Sequence, residues 1–187
     1  MKRVFMIIFA ALTAVFVAMP LSGTAEAARV AAVPIQINEK QVERATDFVG
    51  YYWDIMVGRF KYPDYELMDD EKVTDLLPEG ELSSYDEATL TKLADTLGAE
   101  IVVAMKLDKV SERPIAFRNE GTLATHMQGE FASYNRLTGK YYFKKIYYKG
   151  EMLEVLTLRS DWQQDAFAAE LKRCLNRALE DKKKKKK

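Results

Sequence analysis

Apolar and polar residues alternate, or recur three and four positions apart, along most of the chain. Strict alternation over Arg29–Asn38 and Glu100–Val110 predicts two strands, because successive strand side chains point to opposite faces. In the second of these, one face is apolar and the other more polar, so we expect the polar face to meet water. Helical spacing over Gln41–Phe60 predicts a long helix that turns Val49 and Trp53 toward the core.

Capping and turn residues divide the next part of the chain. Tyr65–Met68 is expected to form a short strand, followed by a brief helix capped by Asp69 or Asp70. Ser84 and Glu87 have capping-box spacing and predict the start of another helix. That helix is expected to end at Gly98, since glycine readily adopts the left-handed conformation that terminates helices.

The second half of the chain is rich in strand-forming residues. Two strands are predicted at 121–137 and 140–148, joined by a tight turn at Thr138-Gly139. Gly150 indicates a second turn into a strand at 152–158, and a capping box at Ser160 opens a helix that runs to about Asp181. The pattern predicts an α+β fold with element order β-α-β-α-α-β-β-β-β-α: a mixed sheet of about five to six strands with helices packed on it.

The first 27 residues have the organisation of a secretory signal peptide. Lys2 and Arg3 precede the apolar run Val4–Met19, and a small-residue site predicts cleavage between Ala27 and Ala28. The alternative is an uncleaved anchor, but the run has only 16 residues and a spanning helix needs about 20. We therefore expect an extracytoplasmic protein, in the periplasm, secreted or at the cell surface.

The remaining sequence suits one domain, residues 28–181, followed by the tail Lys182–Lys187. The domain has 20 basic and 27 acidic residues, a net charge of −7. A lysine block is typically a solvated end, and it can also make peripheral contact with an anionic surface. Cys174 is the sole cysteine, so no internal disulfide is possible; its spacing from Leu171 and Leu175 predicts burial.

Three segments together resemble a known class of bacterial envelope domains. They are Arg29–Pro34, Leu93–Val103 with a Leu-Gly-Ala helix end, and Arg136–Lys140 with a Thr-Gly hairpin. This chain resembles the class that contains the TolB amino-terminal domain, CsgG and LpoB. The resemblance implies a non-enzymatic domain that binds other envelope proteins. The chain lacks the lipobox cysteine of the curli lipoproteins and the propeller of TolB, so no functional residue is carried over.

Few side chains indicate chemistry. His126 is the only histidine, which excludes histidine-dependent triads and multi-histidine zinc sites, and its register predicts a solvated position. Five carboxylates crowd into 64–71 but lack the spacing of a calcium loop, so helix capping is the favoured interpretation. No catalytic residue, metal or cofactor is predicted.

A strand in which aromatic and basic residues interleave is the strongest candidate for binding. In 140–149 we single out Tyr142, Lys144 and Tyr148 as a possible partner-binding face, since such a surface can stack a flat ligand. Export argues against nucleic acid as the ligand. Tyr51-Tyr52-Trp53 spans most of a helix circumference, so one of these rings is expected at a rim or an oligomer contact, with Trp53 in the core.

These observations favour an exported, non-catalytic binding or assembly protein of the bacterial envelope, with an envelope protein or a wall polymer as partner. Two alternatives stay open. One is a secreted carboxylate-dependent hydrolase acting on glycans or cell wall, which requires converging carboxylates with a raised pKa. The other is a small-molecule carrier, which requires a pocket of a few hundred cubic ångströms.

Overall fold

A mixed, six-stranded sheet with helices on both faces forms the body of the protein. The computed structural model describes residues 26–115, 122–153 and 162–180. The elements in chain order are β1 Ala28–Ala32, β2 Gln36–Ile37, α1 Ala45–Arg59, β3 Tyr65–Leu67, α2 Asp70–Thr74, a 3-10 turn Pro78–Gly80, α3 Glu87–Leu97, β4 Ile101–Pro114, β5 Thr122–Asn135, β6 Lys140–Leu153 and α4 Trp162–Leu179.

The strands lie in the order β3-β1-β4-β5-β6, with β2 also paired to β4. β1 runs parallel to β3 and to β4, whereas β4, β5 and β6 form an antiparallel meander. The predicted α+β class with a mixed sheet is confirmed. Within the described residues, β5 is the only strand that pairs with β6, so β6 forms one edge of the sheet.

Two hydrophobic cores sandwich the sheet. α1 and α4 cover one face, where they pack on Val103 and Met105 of β4. α2 and α3 cover the other face, where they pack on Val102 and Ala104. The prediction that one face of β4 meets water is therefore wrong for the first half of the strand, where both faces are buried. From Lys106 onward, side chains on the α3 side of β4 are half-buried or exposed.

The first predicted strand is interrupted at Pro34. Val33 still donates its N–H to the carbonyl oxygen of Val103 at 2.8 Å, but proline has no N–H with which to continue the ladder. β2 begins two residues later. Ile35, just before β2, and Ile37, within it, both face the core under α1 and α4. Strict alternation over Arg29–Asn38 would place Ile35 on the same face as Val33, and this part of the strand prediction is wrong, since Val33 lies in the opposite core.

The face of α1 that packs on the core is made by residues one position earlier than those predicted. Phe48 and Tyr52 are fully buried, whereas Val49 is 37% exposed and Trp53 is half-buried against the core. Tyr52 can be buried because its hydroxyl donates to the carbonyl oxygen of Val33 at 2.7 Å. Trp53 packs edge-on against Tyr52 with ring centroids 5.4 Å apart.

The prediction for the start of α3 is wrong, and the prediction for its end is confirmed. Its N-cap is Asp86, whose carboxylate accepts the N–H of Thr89 at 2.8 Å, and Ser84 instead contacts the Asp86 side chain. The Ser84 capping box is therefore replaced by an aspartate cap, an equally good acceptor placed nearer the helix. Gly98 ends the helix with φ of 62°, as predicted.

The Thr138-Gly139 turn joins β5 and β6 as predicted, but Gly150 does not form a turn. β6 continues to Leu153 and Gly150 pairs with Thr125. A Cβ atom at Gly150 would lie 2.5 Å from the Tyr148 hydroxyl oxygen, so the glycine makes room for that ring to lie along the strand.

Some predictions concern segments outside the described residues. These are the signal peptide up to residue 25, the continuation of the chain at 154–161 with Ser160, and the lysine tail. Ala28 is the first residue of β1, and its N–H donates to the carbonyl oxygen of Asp64 at 3.1 Å. Cys174 is buried and unpaired, as predicted.

Candidate partner-binding face of the sheet

The two faces of β6 have different environments. Side chains at even positions from Tyr142 to Tyr148 point toward α4 and its core, with Ile146 buried among them. Side chains at odd positions from Phe143 to Lys149 are exposed. The strand thus separates its aromatic and basic residues into a packed set and a solvent-facing set.

The packed set holds α4 on the sheet. The Tyr142 ring lies edge-on to Phe131 with centroids 6.0 Å apart, and Lys144 donates to Glu170 of α4. Lys140 donates to two carbonyl oxygens at the end of α4, where the negative end of the helix dipole favours a cation. The predicted site residues Tyr142, Lys144 and Tyr148 all belong to this set, and their role in binding a partner stays a prediction.

Glu170 is a buried carboxylate held in its charged form. Burial alone would raise its pKa, but hydrogen bonds from Arg173 at 2.7 Å and from Lys144 outweigh burial and lower the pKa. Its side chain is 7% exposed. A carboxylate held ionised in this way stabilises the fold and is a poor proton donor.

We call the solvent-facing side of the meander beyond α3 the open face. Strand pairing places Phe143 of β6 beside Ala132 of β5. Further along the strands, it aligns four rows of residues across β6, β5 and β4. These rows are Lys145–Glu130–Lys106, Tyr147–Gln128–Lys109, Lys149–His126–Ser111 and Glu151–Ala124–Arg113. Phe143 is 40% exposed and Tyr147 is 62% exposed, so two large rings lie on this face where none of the described helices covers them.

The open face is weakly basic on an acidic body. It carries four lysines and one arginine against the carboxylates of Glu130, Glu151 and Asp108, the last at the irregularity of β4 beside Lys106, which gives a net charge of +2. Lys106 reaches Glu130 at 3.3 Å and Asp108 at 3.6 Å, and the Lys149 ammonium lies 5.1 Å from the Tyr147 ring centroid. An anionic partner would meet favourable charge here and unfavourable charge over most of the remaining domain.

Tyr85 marks the border between the covered and the open parts of this face. Its backbone oxygen accepts from the Tyr141 hydroxyl at 2.6 Å, and the Lys106 ammonium lies 5.8 Å from its ring centroid. Burial raises the pKa of the Tyr85 hydroxyl, which donates to Gln36 at 2.7 Å. Hydrogen bonds of the Tyr85 and Tyr141 hydroxyls, with the Lys106 ammonium beside them, therefore mark the edge of the open face.

The remaining candidates do not assemble into a catalytic or metal centre. His126 is half-buried on the open face between Ser111 and Lys149. Asp69 caps α2 by accepting the N–H of Glu71 at 3.2 Å, in agreement with helix capping. Within the described ranges no three histidine, cysteine or carboxylate side chains group closely enough to hold a metal ion.

Tyr142 and Tyr148, the two tyrosines of the predicted binding face, lie on the packed side of β6, and the sequence contains a signal for this. Ile146 is the only aliphatic residue between Lys140 and Lys149, so its side of the strand is the natural core side. Phe143 and Tyr147 lie on the opposite side. Because strand side chains alternate between faces, a shift of one residue exchanges all core-facing and solvent-facing side chains of the strand.

Comparisons with known proteins give only weak similarities. No family model and no curated protein matches the chain. Among solved structures, the hypothetical protein CT253 from Chlamydia trachomatis is 11% identical, with a TM-score of 0.47 over 81% of this chain and 91% of that one. Lipoprotein GNA1162 from Neisseria meningitidis is 10% identical, with a TM-score of 0.43 over 80% and 99%.

LpoB, a member of the class that the sequence resembles, is also among the similar structures. Its C-terminal domain from Salmonella enterica is 13% identical, with a TM-score of 0.36 over 70% of this chain and 86% of that one. These values assign the chain to no family. Separately, none of the helices in the described ranges has the length and apolar character that a membrane span requires.

Proposed function

We propose that this protein is an exported, non-catalytic binding or assembly component of a bacterial cell envelope, and that the open face binds its partner. The observation that carries the proposal is the exposure of Phe143 and Tyr147 on a weakly basic part of the sheet that no helix of the described ranges covers. The signal-peptide pattern of residues 1–27 supports the location.

The chemistry of the open face favours a partner that offers rings or flat groups together with negative charge. Exposed aromatic rings stack on sugar rings or apolar side chains, and lysines pair with carboxylates. A wall polymer supplies sugar rings and carboxylates in one chain, and an acidic envelope protein supplies the same charges. Tyr147 and Lys149, which already lie against each other, would provide the first contact.

The hydrolase alternative gains no support from Glu170, the buried carboxylate among the described residues. A general acid at neutral pH needs a raised pKa, and hydrogen bonds to Lys144 and Arg173 give Glu170 a lowered pKa despite its burial. The Glu170 side chain is also only 7% exposed, so a substrate would not reach it. The binding interpretation requires no such group.

A photocrosslinking amino acid introduced in living cells tests the proposal. Placed at Tyr147 on the open face, it should capture one envelope protein or wall fragment that is not captured from Tyr62, a more exposed residue (84% against 62%) in the loop after α1. Sedimentation of the purified protein with cell-wall sacculi distinguishes the polymer from a protein partner. Identical adducts from both positions, or no adduct and no sedimentation, would refute the proposal.

A further inference from the structure

β6 has one free side of its backbone within the described residues. The strand spans Lys140–Leu153, its 14 residues pair with β5 without an irregularity, and no other described strand pairs with it. β3, at the other edge of the sheet, has only three residues. A long edge strand presents a row of N–H and C=O groups that can pair with a further strand. β6 is therefore the edge at which this sheet can be extended.

β6 lacks most of the features that keep an edge strand unpaired. Proteins protect an edge by a proline, a β-bulge, a very short strand or charged side chains, and β6 has only the charges. Its exposed charges are Lys145, Lys149 and Glu151, so the edge carries both signs. Residues directly opposite each other on two strands attract when their charges differ and repel when their charges are alike. These three side chains therefore determine the register in which a second strand can pair.

The edge is complementary to a second copy of itself. Two copies of β6 that pair antiparallel are related by a two-fold axis normal to the sheet, so opposed residues lie on the same face. With the axis at Tyr148, Lys145 is opposite Glu151 of the second copy, and Tyr147 is opposite Lys149 of the second copy. Symmetry repeats each contact once. The second contact is of a kind already present within one copy, where the Lys149 ammonium lies 5.1 Å from the Tyr147 ring centroid.

Neighbouring registers either oppose like charges or form no pair of opposite charges. An axis at Tyr147 sets Lys145 opposite Lys149 of the second copy. An axis at either lysine sets that lysine opposite its own equivalent. An axis at Ile146 brings no carboxylate opposite a lysine. Charge therefore favours the register centred on Tyr148 over these four.

The length of the paired segment also favours this register. An axis at Tyr148 pairs residues 143–153 of each copy, whereas an axis at Gly150, which also aligns opposite charges, pairs only residues 147–153. In antiparallel strands every second residue pair exchanges two backbone hydrogen bonds, so the longer segment forms about ten. A typical protein–protein interface contains a similar number of hydrogen bonds.

We propose that this protein forms a symmetric dimer in which β6 pairs antiparallel with β6 of a second copy, centred on Tyr148. The two sheets would then form one continuous sheet. Because the axis is normal to the sheet, the open faces of both copies lie on the same side, and Phe143 and Tyr147 still face solvent. The dimer therefore does not depend on the proposed function, and either proposal can fail without the other.

Sedimentation velocity of the full chain, purified as the cell produces it, tests this proposal. We expect a dimer with a dissociation constant in the micromolar range or below. Lys145→Glu and Glu151→Lys should each raise this constant at least tenfold, because symmetry turns two attractive pairs into two repulsive ones. Lys92→Glu, the same charge change at an exposed position on α3, is the matched control and should leave the dimer intact.

A charge exchange separates loss of pairing from loss of folding. Lys145→Glu combined with Glu151→Lys should restore the dimer, and an equal mixture of the two single variants should form the heterodimer. Lys145 lies beside Glu130 of its own sheet, so Lys145→Glu should lower the melting temperature slightly. The double variant should show the same small decrease and yet dimerise.

The register has its own test. Lys149→Glu combined with Glu151→Lys should remain monomeric, since only the axis at Gly150 sets these two residues opposite each other. Recovery of the dimer by this pair would contradict the register centred on Tyr148. A wild type that is monomeric at about 100 μM, single variants that dimerise normally, or a failed exchange of Lys145 and Glu151 would each overturn the proposal.

Discussion

Lys144 on β6 donates a hydrogen bond to Glu170 on α4, whose side chain is only 7% exposed. This pair joins the edge strand to the last helix and so fixes the orientation of β6. With Lys144 turned inward, the alternate residues Phe143 and Lys145 must face solvent. The position of the open face thus depends on a salt bridge beneath it.

Removal of Lys144 should destabilise the protein. Lys144→Met leaves Glu170 buried with Arg173 as its only cationic hydrogen-bond donor, and we expect the free energy of unfolding to fall by about 1–3 kcal/mol. Lys145→Met, one residue away on the open face, should change it by less than about 0.5 kcal/mol. Urea unfolding of both variants measures the difference, and equal effects would contradict this role for Lys144.

The lowered pKa of Glu170 predicts a specific pH dependence. A carboxyl whose pKa is lower in the folded than in the unfolded protein stabilises the fold above its unfolded pKa, and this contribution disappears as the pH falls through the folded pKa. The stability difference between the wild type and Glu170→Gln should therefore be largest above about pH 5 and shrink on acidification. Urea unfolding from pH 7 to pH 3 measures this. A difference that stays constant or grows would be inconsistent with the assigned charge state.

Cys174 should be unreactive in the native protein. Its side chain is fully buried, and burial raises the pKa of its thiol to about 11, so little thiolate forms near neutral pH. A thiol reagent should label it only as fast as the protein unfolds, and completely in denaturant. Rapid stoichiometric labelling in native buffer, or a disulfide-linked dimer, would show that the thiol is accessible.

The same substitution should have opposite effects at two glycines. Gly98 has φ of 62°, so Gly98→Ala should cost about 1 kcal/mol, whereas Gly50→Ala in the helix interior should add about 0.5–1 kcal/mol. Gly98→Asn should recover part of the loss, since asparagine tolerates this conformation. Thermal unfolding of the three variants measures these effects. A neutral Gly98→Ala would mean that α3 does not need its left-handed end.

Sequence patterns within a few residues correctly predicted the features that depend only on neighbouring residues. Gly98 ends α3 and Thr138-Gly139 turns the hairpin, because each depends on backbone conformation within a few residues. Cys174 is buried, as the apolar spacing of α4 predicted. These features and the α+β class follow from the order of residues without knowledge of distant contacts.

Features that depend on distant partners were not predictable in this way. Tyr52 is fully buried because its hydroxyl reaches Val33, and no pattern within α1 reveals that partner. Gly150 resembles a turn residue, yet pairing with β5 carries β6 through it. A cavity of about 580 Å³ between α1 and α4 is lined by residues more than 100 positions apart in the sequence, so no local pattern could indicate it.

The most direct test of the open face compares two double variants on adjacent residues of one strand. With the photocrosslinking amino acid placed at Lys145, which lies between them on the same face, Phe143→Ser with Tyr147→Ser should reduce the yield of the crosslinked partner in cells at least tenfold. The melting temperature should fall little, because both rings are already exposed. Tyr142→Ser with Tyr148→Ser should do the reverse, lowering the melting temperature by several degrees through loss of packing against the core. A normal crosslink yield in the first variant would contradict the proposed binding face.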